Sequence, residues 1–218
     1  MGSLMWRKAG GALISAGAVF LIGLAIVLTC DLGPQARHMG LHIIAMNIAA
    51  PVIAAIIVAE RRGGDTTPFW LWVATVAQIA SVWIAHAPPV QTAAMAFPAV
   101  QLAAHGVLLM AALSFWILLL SLPEARRWHA LPALLLTGKL VCLLAALLVF
   151  APRTLYGTGH AHGPPVDGLD DQHLAGLLMI AACPLSYLVA AVIITTQLLK
   201  PYRATETGLS HQPTRGAG

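Results

Sequence analysis

The sequence predicts an all-α fold, a polytopic bundle of six transmembrane helices with both termini in the cytoplasm. Three observations carry that expectation. Hydrophobic residues make up 59% of the chain and charged residues only 9%, against roughly 25% charged in an ordinary soluble domain. Mean hydropathy is +0.81. Six apolar runs, each near the about 20 residues that a helix needs to cross the hydrocarbon core, alternate with short polar or Pro- and Gly-rich breaks. A transmembrane barrel would instead show alternating segments of about ten residues.

The first run, 10–30, follows Arg7 and Lys8 as a signal peptide would. It is long enough to span and lacks a small-x-small cleavage site before the polar turn Asp31-Leu32-Gly33-Pro34, so it reads as a retained span. The second and third runs, 41–59 and 69–85, are joined by a short break, as are the fourth and fifth, 100–122 and 131–150. Each pair is therefore expected to be antiparallel neighbours. The sixth run, 174–199, follows the long interruption APRTLYGTGHAHGPPVDGLDDQH, too rich in Gly and Pro for a helix until Asp170 and Asp171, which are placed to cap the sixth span. Residues 1–203 form one membrane domain on this reading, and 204–218 a polar cytoplasmic tail expected to be disordered.

Basic residues set the orientation. Arg7, Lys8, Arg61, Arg62, Arg126, Arg127, Lys200, Arg203 and Arg215 fall on one side, against Arg37 and Arg153 on the other. The first side is therefore cytoplasmic. Lys139 lies inside the fifth span, close enough to its cytoplasmic end to snorkel. The net charge of +4 is thus a signal of topology, and nothing supports a nucleic-acid partner; membrane lipid is the surrounding medium. Cys30, Cys142 and Cys183 show no CxxC spacing, and the last two read as core thiols.

The histidines are distributed unevenly on this topology. His38, His42, His86, His105, His160, His162 and His173 fall on the external side, and only His129 and His211 on the cytoplasmic one. Met39, Met46, Met95 and Met179 also lie near the external entrances of their spans. In HMGLHIIAMN the four-residue spacing puts His38, His42 and Met46 on one helix face. A rise of about 1.5 Å per residue places His42 about 6 Å, and Met46 about 12 Å, deeper than His38. Imidazole with thioether is a ligand set suited to copper, Cu(I) above all, whereas a hard ion would want carboxylates at that depth. A lone histidine at a helix end is more often a hydrogen-bonded interfacial residue, and His86 and His173 taken singly read that way. Two other readings stay open. Bis-histidine haem ligation needs two histidines at matching depth, which His42 and His105 offer; a copper transporter needs donors continuing toward the cytoplasm, for which Met110 and Cys142 are thin candidates. No nucleophile with a base, phosphate loop or paired catalytic carboxylates appears, so the chain does not read as an enzyme.

Three stretches together resemble a known family. HMGLHIIAMNIAAP is similar to the His-Met-x-x-His motif, followed by Met and Ala-Pro, in the second span of the multi-span CtaG-type cytochrome c oxidase assembly factors. HAPPVQTAAMAFPAVQLAAHGVLLMAALSFW resembles that family's His-x-Pro turn and its span carrying His and ending in Phe-Trp. GLDDQHLAGLLM resembles its Asp-Gln-x-x-x-Gly-x-x-Met entry to a span. The sequence departs from the pattern in three places: Gln101 and Ile180 stand where a His and an aromatic are common, and six spans replace the usual seven.

The resemblance implies a bacterial inner-membrane helper for assembling haem-copper oxidase. It would bind copper transiently on the periplasmic side and support its delivery to the CuB centre of the catalytic subunit, with periplasmic copper chaperones as further partners. The expected metal ligands are His38, His42, Met46 and His105, with Met39 and His173 beside them. Asp171 and Gln172 are expected to cap the sixth span and to orient a histidine from behind.

Overall fold

The computed structural model describes residues 18, 21–60, 66–156 and 168–209. A helix α1 covers 21–29. It is followed by α2 (Pro34–Glu60), α3 (Pro68–Ala85), the short α4 (Pro88–Ala96), α5 (Pro98–Leu120), a 3₁₀ turn over Glu124–His129 leading into α6 (Ala130–Phe150), and α7 (Gly168–Leu209). No strand occurs among the described residues. Five of these helical stretches are long and apolar enough to cross a membrane: Pro34–Glu60, Pro68–Ala85, Pro98–Leu120, Glu124–Phe150 and Gly168–Leu199. Of the expected first span, residues 10–17, 19 and 20 lie outside the described ones, as do His160, His162 and His211. Helix α7 runs six residues into the stretch expected as a tail.

Proline sets where the helices start. Pro34, Pro68, Pro88 and Pro98 each occupy the first turn of α2, α3, α4 and α5, where the missing N–H would have no intrahelical partner and the fixed φ already suits a helix. Inside α2 the same residue type has the opposite effect. Pro51 removes one rung of the ladder and crowds the carbonyl four residues back. The helix answers with a π turn over Ala45–Ala49, in which the Ala50 N–H donates to the Ala45 carbonyl, a step of five residues instead of four.

Helices α2 and α7 lie side by side and run the same way. Gln35 and Asp171 are hydrogen-bonded near the starts of the two helices, and Asn47 and Cys183 some three turns on. Both pairs are 136 positions apart, so the two helices keep one register over that length. Close packing rests on small residues, as expected where lipid supplies no hydrophobic drive between helices. Ala36, Ala50, Ala54, Ala112, Ala130, Ala133 and Ala145 are fully buried. A Cβ on Gly176 would stand 2.7 Å from Val149 Cγ2, and one on Gly40 would stand 2.6 Å from Val27 Cγ2. Glycine at these two places lets α7 meet α6 and lets α2 meet α1. The outward faces carry Leu102, Val107, Leu143, Phe150, Leu177 and Leu188, all exposed, as lipid-facing positions are. The starts of α2, α5 and α7, the ends of α3 and α6, and all of α4 come together at one end of the bundle, which holds the site.

Candidate metal centre

Four imidazoles and one thioether gather at that end. Helix α2 supplies His38, Met39 and His42 from a single turn, His86 follows the last residue of α3, and His105 stands on the second turn of α5. The rings of His38 and His105 meet edge to face with centroids 4.6 Å apart, and those of His42 and His86 at 5.2 Å. His42, His86 and Met39 are all but completely buried, His38 is 8% exposed, and His105 is half-buried.

The hydrogen bonds fix which ring nitrogens are bare. The Nδ1 of His86 lies 2.6 Å from the Val82 carbonyl oxygen and the Nδ1 of His105 lies 2.8 Å from that of Gln101. A carbonyl only accepts, so each Nδ1 carries the proton, and in a neutral ring the Nε2 is left with an exposed lone pair. The His86 Nε2 then faces the Met39 sulfur at 3.2 Å, one lone-pair donor against another. The His105 Nε2 is buried with no partner, and so is the His42 Nδ1. Double protonation of His86 would relieve the first contact. Burial, however, pushes the pKa of His86, which lies just past the end of α3, below the ordinary 6.5, and nearby His105 lowers it further, while the bond to Val82 opposes them. A soft cation accepting from both atoms satisfies the arrangement. The N–H of a ligating imidazole held by a backbone carbonyl is also the usual way a metal-binding histidine is oriented.

The donor set is of a kind that suits copper: neutral imidazoles with a thioether and no carboxylate among them. As placed, the four rings stand as two pairs, and among the described residues no three His, Cys, Asp or Glu side chains lie together closely enough to hold one ion. The N/S pair of His86 and Met39 is therefore the most nearly assembled part, and a third ligand requires a side chain to turn.

The sequence-predicted residues divide into those brought together and those placed elsewhere. His38, His42, His105 and Met39 come together. Met46 is buried one turn beyond His42, within the π turn. His173 instead directs its Nε2 to the Ala151 carbonyl at 3.4 Å, and it has no ring contact with the four imidazoles. Among the described residues, Asp171 is hydrogen-bonded neither to its own helix nor to a histidine. Its carboxylate caps the neighbouring α2, accepting the backbone N–H of Gln35 at 2.8 Å and of Ala36 at 3.0 Å, where the start of a helix leaves such donors unpaired. Gln172 likewise serves the chain beyond α6. Its Oε1 accepts the Leu155 N–H at 2.7 Å, while its Nε2 donates to the carbonyls of Leu148 and Arg153 at 3.3 and 3.5 Å. Sequence reasoning read His86, taken singly, as an interfacial histidine and passed over Gln91. The nearest signal for both was the proline pair Pro88-Pro89, which starts a helix just after His86 and so faces Gln91 inward.

Residues 66–201 match the family described as cytochrome c oxidase caa3 assembly factor (Caa3_CtaG). The chain belongs to this family. The matched stretch contains His86, Gln91, His105, Asp171 and Gln172, and begins after His38, Met39 and His42. Neither a curated protein nor a solved structure is significantly similar to the chain. Membership makes the chain a cytochrome c oxidase assembly factor, a role in keeping with its apolar helices.

Proposed function

We propose that the chain takes up copper as Cu(I) at the histidine end of the bundle, on the periplasmic side of the inner membrane, and hands it to the CuB centre of the oxidase's catalytic subunit. One observation carries the reading: the bare Nε2 of His86 and the sulfur of Met39 converge at 3.2 Å with no proton to share between them. His105, His38 and His42 are the further ligands, and Met46 is a deeper soft contact. Delivery is ligand exchange, with no bond made or broken in the protein. The placement of basic residues supports six spans with both termini in the cytoplasm, so that the histidine end faces the periplasm, where copper chaperones would supply the ion.

Copper content decides the matter. Detergent-purified protein loaded with Cu(I) is expected to carry near-stoichiometric copper, which falls sharply in a His38→Ala/His42→Ala variant and in His86→Ala. Equal copper in all three, or none in any, would sink the reading. A colourless preparation would also remove the bis-histidine haem alternative, which the packing of His38 directly against His105 already disfavours. Transport across the membrane has one observation in its favour: Asn47, Cys183, Gln78 and Tyr187 form a buried polar line beyond Met46. Copper flux into sealed vesicles tests it.

A further inference from the structure

Helix α4 presses a side chain into the cluster from outside. Gln91, in its first turn and 2% exposed, donates from Nε2 to the Ala85 carbonyl at 3.0 Å, and the same nitrogen lies 3.4 Å from the Nε2 of His38. At its far end α4 is tied to α2 through Gln35, whose Nε2 lies 3.7 Å from the Met95 sulfur. An amide nitrogen has two protons and no lone pair to offer. With one proton engaged by Ala85, the second is the only group through which Gln91 attracts His38. That makes the His38 Nε2 the acceptor and puts the ring proton on Nδ1. A metal ion bound at His38 Nε2 needs the same lone pair.

We infer that Gln91 competes with copper for the Nε2 of His38 and so sets the rate at which the site releases its cargo. The inference rests on the copper reading above. At 3.4 Å the N–H···N contact is long for a hydrogen bond, weak enough for an incoming ion to displace. When copper leaves, the amide reclaims the lone pair, and a buried imidazole nitrogen is spared the cost of standing unpaired. Neither His42 Nδ1 nor His105 Nε2 has such a substitute. His38 is therefore the ligand that detaches first, and Gln91 is a positioning residue that acts through it.

The test is release of Cu(I) from the loaded full-length protein to a colorimetric Cu(I) chelator, followed by stopped flow. Gln91→Leu keeps the volume and removes the donor; Gln91→Met does the same if the first variant fails to fold. Release is expected to slow by roughly threefold to tenfold, the range one modest hydrogen bond spans. In a His38→Ala background the same substitution should change nothing. Faster release would show that Gln91 merely tethers α4 to Ala85, and unchanged release, or an effect that survives His38→Ala, would equally overturn the inference. A wild-type protein that binds no copper removes this inference together with the copper reading. Copper bound normally, with release indifferent to Gln91, removes this inference alone.

Discussion

The Nε2 of His86 and the Sδ of Met39 lie 3.2 Å apart, joining two residues 47 positions apart in the chain at the end of α3 and the first turns of α2. Neither atom has a proton to give the other while the His86 Nδ1–H is held by Val82. Met39→Leu preserves the buried volume and deletes the sulfur, so Cu(I) affinity is expected to fall at least about tenfold, the scale on which altered metal surroundings act. The melting temperature should hardly move. Competition against a chelator of known affinity, alongside thermal unfolding, measures both, and unchanged affinity would remove Met39 from the site.

Much of this site is legible in the sequence, for a definable reason. His38 and His42 repeat at the helical period, so their shared face follows from spacing alone, and His105 stands out in an otherwise apolar helix. His86 lacks such a signal, because its partner is on another helix and it follows the last residue of its own. Asp171 reads as a capping residue, and among the described residues the helix it caps is α2, whose Gln35 N–H lies 136 positions earlier. The segment Pro88–Ala96 has the prolines of a turn, yet Pro88 in the first turn is also how a helix begins. The five spans among the described residues follow the apolar runs because hydropathy dictates them directly.

Asp171 is expected to carry stability without carrying metal. Asp171→Ala leaves two N–H groups at the start of α2 unpaired and removes a negative charge from the positive end of the helix. The cost is about 1–2 kcal/mol. Gly33→Ala reaches the same bond by another route, because a Cβ there would fall on the Asp171 carboxyl group. The two substitutions act on one interaction, so together they should cost well under the sum of their separate effects. Thermal unfolding of both single variants and the double variant in one detergent reads this out, and full additivity would break the link.

Tyr156 ties the chain after α6 to the histidine cluster by donating its hydroxyl to the His86 backbone carbonyl at 3.0 Å. Burial pushes its pKa from 10.0 up to about 12. A raised pKa means that the folded state keeps the proton longer than the unfolded chain does. The stability this tyrosine contributes is whole below pH 10 and is lost as pH climbs from 10 toward about 12. Tyr156→Phe should therefore cost about 1 kcal/mol near neutrality, and its unfolding should be less sensitive to pH across that alkaline window than the wild type's. Parallel curves for the two proteins from pH 9 to 12 would contradict the assignment.

The polar contacts deeper in the bundle should matter less for stability than their burial suggests. The Ser186 hydroxyl donates to the Asn47 Oδ1 at 2.7 Å, and the Asn47 amide reaches the Cys183 sulfur at 3.7 Å, pinning α2 to α7 within the π turn. In water-excluding surroundings such bonds look indispensable. Measured hydrogen bonds between membrane helices nonetheless average only about 0.6 kcal/mol, because the unfolded helices in lipid also find partners. The Cys183 contact, long and to a weak acceptor, adds little more. Asn47→Leu is therefore expected to destabilise by about 0.6 kcal/mol, less than Asp171→Ala, although both residues join the same two helices. The order follows from location: Asp171 meets unpaired helix-end N–H groups that no neighbouring rung can replace, whereas Asn47 leaves the α2 ladder intact. Unfolding both variants side by side tests that ranking, and a larger loss at Asn47 would mean that the π turn depends on its side chain.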